Sequence, residues 1–516
     1  MLIKIRKYNL DFSNTVFLLI IITVTGFVIR INYLPDNIPL TLDALRYFLL
    51  GMDVSILGNL PEGYDKTNIG WPVFLAVIFQ FVRYEYFLDY MTLQKMCSVI
   101  FSTLTLIPMY FLIKRFFKPH LAIIGCTFFV FSPYIIENSI LGITDSFFIF
   151  LIVSFFSLFF SNQKRNVVFS FFILGLSSIV RYESLLLIIP TTIIFLHRFK
   201  GENNFKFYSY GLFLFLLAII PVAIWKIQMG IPDGIVSHLW VGANVVINEN
   251  SVNSFTEDRF DFIRGMLYLP KFIGMSLLPL CFIFVPYSII SLIKKENNNF
   301  RYLIFLGIFS LIPTLYAYSR GFEDTRYVFV VLPILIIASL FLIEKITLKI
   351  KKTNVIAFGF IILIIISSVI FFNYIQPDYE YETDSVEVAR FVSGLPGTIN
   401  SYGPETYYVE VMDLEDKKFP ILSSEINFQK KVIGLQGETI NEIIQDAKDK
   451  GLSYLAVTSA SQNDNQILSK FYHEEHNYPY LKKIFDSKDY GFKFNIKIFE
   501  MNYNEFELVS NSVLLP

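Results

Sequence analysis

Apolar residues fall in long blocks along this 516-residue chain, separated by short polar interruptions. Blocks near 15–34, 88–113, 120–137, 143–160, 166–181, 184–197, 208–228, 272–293, 302–318, 327–343 and 354–374 predict about eleven membrane-crossing helices. The apolar run at 70–82 is too short to span and reads as an interfacial or re-entrant helix. Beyond 374 the pattern changes. Helix-period pieces at Ser385–Val392 and Ile440–Lys450 alternate with strand-like pieces at Tyr454–Thr458 and Asn495–Met501, with Gly397 and Gly451 at the turns. The fold class that follows is a polytopic α-helical membrane protein over 1–376 with a small α/β domain over 377–516.

Composition agrees: 54% of residues are hydrophobic and only 17% are charged, which excludes a set of soluble domains, and no nucleic-acid partner is expected. The formal net charge of -1 hides a segregation. One set of loops carries Lys114-Arg115, Lys118, Lys164-Arg165, Arg198, Lys200, Lys294-Lys295 and Lys349 to Lys352. The other set (35–87, 226–271, 319–326 and the tail) is longer and mixed or acidic. The positive-inside rule puts the first set and the N-terminus in the cytoplasm, and an odd span count puts the C-terminal domain outside. Lys4, Arg6 and Lys7 precede the first apolar block as in a signal peptide, but no small-residue cleavage site follows Ile31, so the block reads as a retained helix. Cys97, Cys126 and Cys281 lie in apolar runs and read as small hydrophobes, without a metal or disulfide pattern.

A charge at mid-helix in a bilayer costs roughly 2.5–3.5 kcal/mol, so ionisable groups collect at helix ends or mark function. Here they collect at the outer hairpin tips: Asp43 and Arg46 after the first span, Glu137 and Asp145, Arg181 and Glu183, then Arg320, Glu323, Asp324 and Arg326. A carboxylate beside a cavity can act as general base toward an alcohol. Arginine forks suit a phosphate leaving group, and at a membrane boundary that phosphate belongs to a lipid. Together they describe sugar transfer from a polyprenyl-phosphate donor. Each residue also has a plainer reading: a helix cap for Asp43 and Asp145, pairing with Glu323 or Asp324 for Arg326, pairing with Glu183 for Arg181.

Several patches resemble the GT-C superfamily of polytopic glycosyltransferases, in the protein O-mannosyltransferase and aminoarabinose-transferase branch with its archaeal relatives. The first outer loop holds Asp43, Arg46, Tyr47, Gly58 and Asn59, and Asn68-Ile69-Gly70-Trp71-Pro72 follows. Ile143-Thr144-Asp145-Ser146, the stretch Gly175 to Glu183, and Thr325-Arg326-Tyr327 before Pro333 complete the likeness. Ala44 stands where many members carry a second acid, and Ser146 where they carry Pro; the WWDYG mark of oligosaccharyltransferases is absent.

The resemblance implies an inverting membrane glycosyltransferase that moves a sugar from a polyprenyl (dolichyl) phosphate to an extracytoplasmic hydroxyl. Asp43 and Asp145 are the expected catalytic residues, Arg326, Arg181 and Arg46 the phosphate ligands, and Tyr47, Tyr327, His238 and Trp240 the substrate contacts. The expected acceptor is a protein, lipid or glycan. No metal ligand set is evident; a divalent metal is compatible with the pattern and not required by it. A transporter or flippase of lipid-linked sugar is the alternative, and it would want ionisable groups at mid-membrane and an internal repeat.

Overall fold

A computed structural model describes residues 12–61, 68–199, 204–228, 260–293, 298–350, 353–415, 417–426, 432–459 and 466–513. The described chain is mostly helical and divides into two compact units. One is drawn from 1–34, 57–78 and 93–376, the other from 35–56, 79–92 and 377–516.

The first eleven helices are α1 (Phe12–Asn32), α2 (Leu42–Leu57), α3 (Gly70–Gln80), α4 (Phe87–Leu104), α5 (Leu106–Ile113), α6 (Pro119–Val130), α7 (Pro133–Ile140), α8 (Asp145–Phe159), α9 (Lys164–Val180), α10 (Ile188–Arg198) and α11 (Asn204–Gln228). Helices Phe262–Ser276, Pro279–Ile293, Asn298–Ser319, Leu332–Ile350 and Thr353–Ile375 follow. Among the described residues, five helical stretches are long and apolar enough to cross a membrane: Thr15–Asn32, Phe87–Ile113, Asn204–Gln228, Asn298–Ser319 and Ala357–Ser393. The α6–α7 pair adds a sixth if its 52° bend is counted within one span. The expected count of eleven includes shorter helices such as α8 (15 residues) and α9 (17 residues). At 1.5 Å per residue these fall short of a hydrocarbon core about 30 Å thick. The α6–α7 bend falls where Pro133, which has no N–H to extend the preceding helix, starts a new one. The apolar run at 70–82 folds as the 11-residue α3, with Trp71, Leu75 and Ala76 buried.

Helices in the first unit approach closely at glycines. A Cβ on Gly26 would collide with Val130 on α6, and one on Gly175 would lie 2.8 Å from the Phe215 carbonyl of α11. Charge is not confined to the hairpin tips: Arg30 on α1 is fully buried. Its guanidinium donates to the carbonyls of Gly26 and Val130 (2.9 Å each) and to the hydroxyls of Ser102 (3.3 Å) and Ser139 (3.1 Å). That satisfaction by neutral acceptors is what makes an interior cation tolerable.

The second unit contains a five-stranded mixed sheet in the order β2-β1-β3-β5-β4, where β1 is Ile399–Asn400, β2 Val432–Ile433, β3 Tyr454–Thr458, β4 Leu481–Asp486 and β5 Ile496–Met501. β1 runs parallel to β2 and β3, whereas β5 is antiparallel to β3 and β4. Helix Ile440–Asp449 falls where the helical periodicity predicts it and is capped by Thr439, whereas Tyr379–Ser393 starts six residues before the expected Ser385, at the cap supplied by Asp378. Gly397 and Gly451 take the positive φ (99° and 68°) their turns need. α2 belongs to this unit: Phe48 on α2 and Phe87 and Tyr90 at the start of α4 surround Phe419, and Asp53 accepts from the Ser423 hydroxyl and its backbone N–H (2.6 Å).

Candidate active site

In the first unit three short turns, distant in sequence, present charge to one cleft. α9 ends at Val180, and Arg181 leaves it in an extended conformation (φ -145°, ψ 117°) before the 3-10 turn Tyr182–Leu187. The Ser177 and Ser178 hydroxyls each lie 3.0 Å from that of Ser184, fixing the turn. Asp145 is the first residue of α8 and is 2% exposed. The second 3-10 turn, Thr325–Val328, is capped by the Asp324 carboxylate on the Arg326 N–H (2.9 Å). It is tied back by Tyr318 Oη on the Asp324 carbonyl (2.9 Å) and Thr314 Oγ1 on the Tyr327 carbonyl (2.7 Å).

The Arg181 guanidinium pairs through Nη1 with Asp145 Oδ1 and through Nη2 with Glu183 Oε1 at 2.8 Å. It also lies over the Phe148 ring (5.5 Å) and the Tyr327 ring (6.0 Å). Arg326 lies 5.6 Å from the same Tyr327 ring and pairs with Asp324 at 3.0 Å. Asp145, Arg181, Glu183, Arg326 and Tyr327 line one cleft, which also takes in Phe148, Ser310, Pro313 and Thr314. Asp145 Oδ2 is buried and has no hydrogen-bond partner among the described residues. Leaving such an oxygen unpaired costs roughly 1–3 kcal/mol.

Charge states follow from these partners. Burial alone would raise the Glu183 carboxyl, but Arg181 overrides it and holds the group below its ordinary value. Partial burial works against the Arg326 charge, yet Asp145 and Asp324 outweigh it and keep the guanidinium more firmly protonated than usual.

The structure thus brings together Asp145, Arg181, Arg326 and Tyr327 of the expected set. The helix-cap reading of Asp145 is not what it does: the residue before the helix is Thr144, and the Asp145 carboxylate goes to Arg181. The pairing readings of the arginines do hold, with the cleft added to them. Glu323 is engaged elsewhere, by Arg264 (3.3 Å) and Lys271 (3.5 Å). Asp43, Arg46 and Tyr47 lie on α2 in the second unit, with Asp43 half-buried in its first turn and Arg46 exposed. Leu42, just before Asp43, adopts φ +50°, uncommon for a non-glycine residue and a mark of local strain. His238 and Trp240 fall outside the described residues. Sequence reasoning passed over Glu183 and Asp324 as site residues, although each sits two positions from a predicted arginine. Among the described residues no group of three or more His, Cys, Asp and Glu side chains is arranged to hold a metal.

The profile of a family described as dolichyl-phosphate-mannose-protein mannosyltransferase matches residues 88–225. No curated protein matches the chain. Among solved structures, the apo oligosaccharyltransferase of Archaeoglobus fulgidus is similar with a TM-score of 0.57 at 10% identity, covering 90% of this chain and 71% of that one. The same archaeal enzyme, AglB, solved with an inhibitory peptide and a dolichol-phosphate, gives 0.53 at 11% identity, covering 90% and 72%. ArnT from Cupriavidus metallidurans bound to undecaprenyl phosphate gives 0.54 at 9% identity, covering 94% of this chain and 98% of that one. Both proteins are of the GT-C superfamily, and the chain has the GT-C fold the sequence resemblance implied.

Proposed function

Taking the GT-C fold as premise, we propose that this membrane protein transfers a sugar from a polyprenyl (dolichyl) phosphate to an extracytoplasmic hydroxyl with inversion. The observation that carries the reading is the cleft where an unpaired Asp145 oxygen faces two guanidinium groups over an aromatic floor. Full-length similarity to ArnT and the absent WWDYG motif favour a single sugar over an oligosaccharide.

In the reaction, the acceptor O–H proton passes to a general-base carboxylate while the acceptor oxygen attacks the anomeric carbon. The anomeric C–O bond breaks, and its electron pair leaves on the polyprenyl phosphate. Arg326 meets that charge with a fork that a lysine lacks. Two carboxylates and two guanidinium groups line the cleft, and Asp324 holds Arg326 from beside it, so the phosphate gains a place by taking Arg326 from Asp324. Asp324 is the partner to yield, since it is 43% exposed against 2% for Asp145 and 20% for Glu183. Arg181, held by the two better-buried acids, orients Asp145.

The test is Asp43→Asn in purified full-length protein supplied with a polyprenyl-phosphate hexose and an acceptor. The variant should insert and melt like the unmodified protein, with transfer reduced on the order of 10²–10⁴-fold, the typical loss of a general base. Near-normal transfer would remove Asp43 from the chemistry.

A further inference from the structure

One four-residue segment touches the flanks of both partners in the Asp145–Arg181 pair. The Trp71 indole N–H donates to the Gly142 carbonyl at 3.2 Å, and Gln94 Nε2 donates to the same carbonyl at 2.8 Å. Both side chains are fully buried. Gly142 (φ +73°) is the turn glycine three residues before Asp145, and Ser98 donates to Ser146, the residue after it (3.0 Å). At the other end of the segment, Asn68 Oδ1 accepts from the Tyr182 N–H at 3.3 Å. Between them, Gly70 lies so close to Val180 that a Cβ there would meet its backbone N at 2.9 Å. Val180 and Tyr182 are the two neighbours of Arg181.

We infer that Asn68–Trp71 is a positioning strap: it sets the separation of the Asp145 and Arg181 turns and so aims the unpaired carboxylate oxygen into the cleft. None of its side chains lines the cleft, so it acts through the two turns. The consequence for rate rests on the transfer reaction proposed above; the coupling of the two turns does not.

Two measurements on the full-length protein separate these. The first is hydrogen exchange in Asn68→Ala. Faster exchange at 180–184 follows from the lost bond in any case. A strap also requires faster exchange at 141–147, a turn that Asn68 does not touch. Exchange confined to 180–184 overturns the strap. The second is the kinetics of Trp71→Phe, which keeps the ring against Phe74 and Phe147 but removes the donor. A hydrogen bond of net ~0.5–1.5 kcal/mol corresponds to a roughly 2- to 13-fold loss. That loss should appear in kcat, with donor KM and melting temperature nearly unchanged. Phe74→Leu, which disturbs the same packing but removes no hydrogen bond to either turn, should lower the melting temperature without a selective kcat loss. A Trp71→Phe defect confined to stability would overturn the positioning role. If the unmodified protein transfers no sugar, the functional reading fails and the exchange result still decides the strap.

Discussion

Arg181 is the point where the cleft is most sensitive to substitution. Replacing it with Met keeps much of its volume but leaves Asp145 and Glu183, 2% and 20% exposed, facing each other without their cation. At the 2.8 Å separation of Arg181 and Glu183, an effective dielectric near 20 gives a gross attraction of about 6 kcal/mol. Desolvation of the three charges offsets much of this, and breaking a buried pair typically costs roughly 3–5 kcal/mol. The partial exposure of Glu183 places the expected loss near the lower end, about 3 kcal/mol. Unfolding entropy scales with length, so for 516 residues each kcal/mol moves the melting temperature by roughly 1 °C. Arg181→Met should therefore melt roughly 3 °C lower in a detergent-micelle fluorescence melt. Adding Asp145→Asn and Glu183→Gln removes the stranded charges and should recover at least half of the loss, because the penalty lies in uncompensated carboxylates. The reasoning is refuted if Arg181→Met melts like the unmodified protein, or if the triple variant melts lower than the single one.

Arg326→Lys keeps the charge but loses the planar fork, so the donor KM should rise several-fold while the melting temperature changes by less than about 1 °C; an unchanged KM would take Arg326 off the phosphate. Glu183, held below its ordinary carboxyl value of 4.5 by Arg181, adds stability that is fully present above that pH and is lost as pH falls through its folded value. Melts from pH 7 down to pH 3 should therefore show a constant gap to Glu183→Gln above about pH 5 that closes below 4.5, and a gap that widens with acid would reverse the sign. Reporter fusions after Tyr379 should be active outside the cytoplasm and fusions within 198–206 or 345–353 inside it; a cytoplasmic C-terminus would overturn the charge-based orientation.

The hydropathy blocks, read without any structure, determine that the chain lives in a membrane and that a polar α/β domain follows near 377. Periodicity locates Ile440–Asp449, β3 and β5 almost to the residue, and the later part of Tyr379–Ser393, because local hydrogen bonding and side-chain alternation are short-range properties. The residue types of Asp145, Arg181, Arg326 and Tyr327 were legible for the same reason: charge at the rim of an apolar helix is expensive enough to stand out. What they touch was not. That Arg181 joins Asp145, 36 positions away, depends on α8 and α9 packing side by side and on a 3-10 turn rather than a longer loop after Val180. Arg30, which periodicity absorbs into a span, is buried only because serines and carbonyls from α4, α6 and α7 surround it. Grouping α2, and with it Asp43, with the C-terminal domain rests on Asp53 meeting Ser423 and on Phe48 meeting Phe419, contacts across some 370 residues. Such pairings are fixed by the complementarity of surfaces that exist only once the chain has folded, and no local pattern in the sequence records them.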